Sequence, residues 1–67
     1  MEQLAGTIEA IVFAHPENGF TVARLKEVNK KDFTVIVGTI PHLQPGESVI
    51  CKGEWRNHPS HGRQFEV

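Results

Sequence analysis

Sixty-seven residues suffice for one small domain and exclude a second, and a chain this short buries only a modest share of its surface on folding. Hydrophobic residues at 39% and charged residues at 22% are ordinary globular usage and exclude a disordered chain. Seven Lys and Arg against eight Asp and Glu, a formal net charge of -1, exclude the overall basic excess that usually marks an autonomous nucleic-acid-binding domain.

The start, "MEQLAG", has no basic stretch followed by an apolar one, and no apolar run approaches the ~18 residues of a membrane helix, so neither export nor a membrane partner is expected. Cys51 is the only cysteine, which rules out an internal disulfide and points to a reducing, cytoplasmic setting.

In chain order, period-2 alternation and turn residues mark five segments. Residues 4–14, "LAGTIEAIVFA", place Leu4, Gly6, Ile8, Ala10 and Val12 on one face. A helical template also fits Leu4, Ile8, Ile11 and Val12, but Gly6, Thr7 and the β-branched aliphatics favour a strand. "HPENG" follows as a hairpin turn, since Pro16 presets a turn φ and Asn18-Gly19 accepts positive φ. Residues 20–28 form a second strand and "NKKD" a second turn; 33–40 form a third strand, in which Gly38 suggests a bend or bulge.

The prolines and glycine of 41–48, "PHLQPGES", oppose a regular helix. Strand four runs over 48–56, with Val49, Cys51, Gly53 and Trp55 on one face and Ile50, Lys52, Glu54 and Arg56 on the other. "NHPSHG" turns the chain into a fifth strand, "RQFEV". The fold class expected is therefore all-β: a small five-stranded barrel or curled antiparallel sheet with little or no helix. Alternation still runs at Val67, as in a piece of a longer protein, and strands apolar on both faces, such as Ile11 and Phe13 opposing Ile8 and Val12, ask for a covering partner.

Chemistry concentrates near the end of the chain. Cys51, His58 and His61 are metal-ligand types, but one cysteine without a second Cys-x-x-Cys half falls short of a structural zinc site. His58 and His61 read as loop residues, one hydrogen-bonded to backbone, and Cys51 as a buried small apolar residue. There is no P-loop motif, no paired carboxylates and no cleft-placed Cys–His pair, so no catalytic residue is expected here. For single-stranded nucleic acid, Trp55 and Phe65 offer stacking platforms and Lys52, Arg56 and Arg63 phosphate contacts. Phe20 with Arg24 and Lys26 would add a second patch, and the loops "HPENG" and "NHPSHG" would flank the groove. Against this stands the reading of Trp55 and Phe65 as core aromatics with Arg and Lys as solvated rim, and for a lone tryptophan in a small barrel the core is the favoured place.

"GTIEAIVFAHPENGFTVARLK" followed by "GTIPHLQPGESVICKGEWRNHPSHGRQFEV" resembles the amino-terminal domain of bacterial RecD-like DNA helicases, of the RecD/TraA and exodeoxyribonuclease V alpha-chain type. The most specific pieces are Gly53-x-Trp55, His58 and Gly62-Arg63-Gln64-Phe65, supported by the turn Asn18-Gly19-Phe20-Thr21-Val22 and by Pro45-Gly46-Glu47. His61 stands where that family usually has an aromatic. The resemblance implies an oligonucleotide-binding (OB) barrel over residues 1–67, ahead of a 5'-to-3' helicase core and without the capping helix usual between strands three and four. It also implies that ATP and Mg²⁺ are cofactors of the parent enzyme, bound beyond Val67, and that these residues hold none. Two functions follow: an accessory module contacting single-stranded DNA through Lys52, Trp55, Arg56, His58, His61, Arg63, Phe65, Arg24 and Lys26, or a docking or self-association module that contacts the remainder of the helicase or another protein chain and touches no DNA.

Overall fold

A computed structural model describes residues Met1 to Val67. Its strands are β1 (Glu2–Ala14), β2 (Phe20–Glu27), β3 (Phe33–Thr39), β4 (Ser48–His58) and β5 (Gly62–Glu66), and no helix forms. β4 runs two residues further than alternation predicts, because Asn57 and His58 still pair with Arg63 and Gly62 across the last hairpin. The strands close in a ring in the order β1-β2-β3-β5-β4, with β4 returning to β1. Every pairing is antiparallel except the seam between β3 and β5, which is parallel and joins only Ile36 to Phe65 and Val37 to Glu66. The result is an all-β OB-like architecture whose ring closes through a short seam, leaving the start of β3 and the far end of β1 paired on one side only.

Strict alternation fails in β1. Register shifts fall between Ile8 and Ala10 and between Ile11 and Phe13, so each bulge resets which side faces inward. Ile11 joins Ile8 against the core, whereas Val12 is 58% exposed and Phe13 lies outside beside it. The expected facing of Ile8 and Val12 against Ile11 and Phe13 is thereby corrected. Gly38 carries no bulge: pairing runs unbroken from Phe20–Thr39 through Thr21–Gly38 to Lys26–Phe33.

Gly6 and Gly53 sit where a strand changes partners. β1 pairs with β4 up to Thr7 and with β2 from Gly6 onward, and β4 pairs with β1 as far as Gly53 and with β5 from Glu54. Both glycines point inward and are buried. A Cβ at Gly6 would run into the Lys26 carbonyl, and one at Gly53 into the Glu66 carbonyl, so these corners close only where no side chain intervenes.

Phe65, Ile8, Leu25 and Ile36 are the largest fully buried side chains, and Leu4, Ala23 and Cys51 complete the cluster. Thr21, the buried hydroxyl, donates to the carbonyls of Gly19 and Ile40 at 3.0 and 3.2 Å and so satisfies itself. One end of the ring is closed by the β3–β4 loop, from which Ile40 and Leu43 pack on the core. That loop is fastened to β1 by Gly46 N–H donating to the Ile8 carbonyl (2.7 Å) and Ile8 N–H to the Glu47 carbonyl (2.8 Å). Apolar packing by a loop thus does there what a capping helix does in larger barrels.

Candidate nucleic-acid interface

β2 alternates cleanly, with Thr21, Ala23 and Leu25 inside and Phe20, Val22, Arg24 and Lys26 outside. β3 continues this outer surface, pairing Val35 with Arg24 and Phe33 with Lys26, whereas Val37, opposite Val22, is buried. The chain thereby lays an apolar floor edged with cations. Arg24 places its guanidinium 5.8 Å from the centroid of the Phe33 ring, a cation–π contact that keeps the charge on the surface.

The end of β1 with its loop to β2, and the β4–β5 hairpin, flank this face. On the β1–β2 side stand Val12 and Phe13, the latter edge-on to His15 at 6.3 Å between ring centroids. On the β4–β5 side stand His61 and Gln64. Together with Val22, Arg24 and Val35 they line a groove of about 470 Å³. Strands two and three framed by the β1–β2 and β4–β5 connections are the surface with which OB folds hold oligonucleotides.

A second hollow, of about 560 Å³, opens where β3 and β5 diverge before their short parallel seam. Leu4, Phe33, Val35 and Trp55 supply its apolar walls, and Lys30, Lys31 and Arg63 its cations, with Glu27 and Asp32 beside them. Glu27 is occupied by the Thr34 hydroxyl, which donates to it at 3.0 Å. The groove and the cleft share Val35, so the two form one continuous surface. Five of the seven basic residues, Arg24, Lys26, Lys30, Lys31 and Arg63, gather on it against two of the eight acidic ones, so it carries a local positive excess on a chain whose net charge is -1.

The residues singled out from sequence fall into five places. Arg24, Lys26 and His61 belong to the β2–β3 face. Trp55 and Arg63 line the cleft, where the guanidinium lies 3.9 Å from the indole centroid. Lys52 and Arg56 point outward from β4; Arg56 stands opposite Gln64 at the margin of that face, whereas Lys52, in the part of β4 that pairs with β1, is not brought to the others. Arg56 reaches Glu54 at 3.3 Å and Glu66 at 3.7 Å; such exposed pairs contribute little to stability. His58 holds the hairpin tip by accepting the Ser60 N–H on Nδ1 at 3.1 Å, and its ring lies 4.6 Å from that of His61.

Phe65 is the exception among the aromatics. It is 0% exposed and meets Trp55 edge to face at 5.2 Å, which leaves it no free ring face for a base. Phe13, Phe33, Val35 and Gln64, which sequence reasoning passed over, stand on the face instead. An aromatic pairing across from a lysine, as Phe33 does with Lys26, was the available signal. Cys51 is buried in the core, and burial pushes its thiol above the usual range, the reverse of what an activated nucleophile needs.

Residues 1–67 match the family described as the OB-fold domain of the ATP-dependent DNA helicase YrrC. Neither curated proteins nor solved structures include a match to this chain. Five strands closed into an OB-like ring, together with a family match over its whole length, establish that the chain belongs to the family of OB-fold domains of YrrC-type ATP-dependent DNA helicases.

Proposed function

We propose that this chain is the accessory domain through which a RecD-like 5'-to-3' helicase holds single-stranded DNA, with the ATP- and Mg²⁺-dependent core outside these residues. The observation that carries the reading is the local excess of cations around the apolar β2–β3 face. Phe13 and Phe33 present ring area for bases, Arg24 and Lys26 meet phosphates, and His61 and Gln64 supply polar contacts from the opposite rim. Binding of this kind reads no sequence, because every base has a face to stack and every nucleotide a phosphate.

A titration of the 67-residue chain with fluorescein-labelled oligo-dT of about twenty nucleotides, at several salt concentrations, tests this. Saturable binding that weakens with salt is expected. Arg24→Ala and Lys26→Ala should each lower the slope of log affinity against log salt by about 0.7, the value for one lost phosphate contact on a single strand. Lys52→Ala should leave it unchanged.

A second reading, docking against another protein surface, is favoured by a different patch. Ile50 is 66% and Val28 68% exposed, and with Ala5 and Thr7 they line a shallow hollow that contains no cation. Absence of oligo-dT binding even at low salt would move the assignment to that patch.

A further inference from the structure

The strand-holding face leaves the cleft between β3 and the β4–β5 hairpin unassigned. Arg63 there has no carboxylate within ion-pairing distance; the ion pairs of the chain involve only Arg56 with Glu54 and Glu66. Its guanidinium is held over Trp55, and Trp55 is braced from beneath by the buried Phe65. A planar cation immobilised in this way keeps its outer face and its N–H groups free. Phe33, Lys30 and Lys31 line the same cleft, whose volume of about 560 Å³ lies within the range of about 300–1,000 Å³ usual for small-ligand pockets.

We propose that this cleft is a single-nucleotide subsite, with a base stacked on the guanidinium plane of Arg63 and its phosphate met by Lys30 and Lys31. The stack then has three layers: base, guanidinium and indole. Nucleobases pack on arginine planes as they do on aromatic rings. Trp55 acts from behind as a positioning residue, since Arg63 covers the face a base would otherwise take. The assignment rests on the strand-binding reading only in the choice of a nucleotide as ligand. The nucleotide belongs either to a strand crossing the β2–β3 face or to a free mononucleotide.

The chain, its Arg63→Lys and Arg63→Gln variants and Arg24→Ala should be titrated with oligo-dT, with dTMP and with inorganic phosphate, following Trp55 emission. Arg63 is exposed, so both substitutions should leave the thermal transition in place. Arg63→Lys keeps the charge but loses the plane, and is expected to weaken the emission response to oligo-dT about tenfold, the loss of one stacked base. Arg63→Gln should weaken it at least as much. A response to oligo-dT alone identifies a nucleotide within a strand, and an additional response to dTMP a free nucleotide as well; either supports the subsite. Arg63→Lys titrating like the unsubstituted chain, or inorganic phosphate reproducing the response, would overturn it. If Arg24→Ala weakens oligo-dT binding while Arg63→Lys does not, the subsite fails and the strand-holding face stands; if neither does, both fail.

Discussion

Gly53→Ala is expected to abolish the cooperative unfolding transition of this chain. The residue lies at the corner where β4 leaves β1 for β5, and an added methyl would run into the backbone carbonyl of Glu66. A flexible side chain could move aside, but this carbonyl belongs to the residue that pairs with Val37 in the two-residue seam closing the ring. Overpacking usually costs 1–3 kcal/mol, and a clash with backbone at such a seam places the cost at about 3 kcal/mol or more. A single core in a chain of this size rarely supplies more than about 3–5 kcal/mol. The check is urea or thermal unfolding followed by circular dichroism, with Lys52→Ala, one residue away and exposed, as comparison; that variant should fall within about 0.5 kcal/mol of the unsubstituted chain. A Gly53→Ala melt within a few degrees of the original would contradict the corner assignment.

Phe65→Ala should have the second largest effect, and of a kind that separates core from surface. Removing a fully buried phenylalanine costs about 3–5 kcal/mol, from lost transfer energy and from the cavity left among Ile8, Leu25 and Ile36. Trp55 would lose its edge-to-face partner and Ile36 its neighbour across the seam. Trp55→Ala should cost less, because Trp55 is only partly buried and Phe65 still fills the ring beneath it. The expected result is an unfolded or barely folded Phe65→Ala and a folded, weakened Trp55→Ala, measured by the same unfolding curves. A stable Phe65→Ala that had lost only oligonucleotide binding would make Phe65 a stacking platform instead of a core residue.

These two aromatics show where sequence reasoning reaches and where it stops. Trp55 and Phe65 are directly paired across β4 and β5, and both lie on inward-facing positions of their alternations. Alternation gives the side of the sheet on which each stands. It does not give the distance from the ring's open end, which makes one fully buried and leaves the other capped by Arg63. The turns were legible because their chemistry is local: Asn18 accepts the Phe20 N–H at 2.9 Å, and His58 accepts that of Ser60. The bulges of β1 were not, since Glu9 and Val12 look like ordinary members of an alternating run and only the pairing to β2 exposes the extra residues.

The site was half legible for the same reason. Trp55, Arg63 and two histidines crowd into one short stretch, so attention goes to the last hairpin, whereas the face between the loops draws on four strands. Phe13, Phe33 and Val35 read along the chain as unremarkable apolar positions; ring closure turns them outward beside Arg24 and Lys26. Conversely, Lys52 and Arg56 are close in sequence to Trp55 but alternate with it, which points them away from the cleft.

The most direct test of the account is a map of backbone amide chemical shifts in the isotope-labelled chain as oligo-dT is added at low salt. Shifts are expected to concentrate at Arg24, Lys26, Phe33, Val35, His61 and Gln64, with Ile50, Lys52 and Glu54 on the outer face of β4 unmoved. Shifts confined to β4, or none at a strand concentration that saturates the intact helicase, would contradict it.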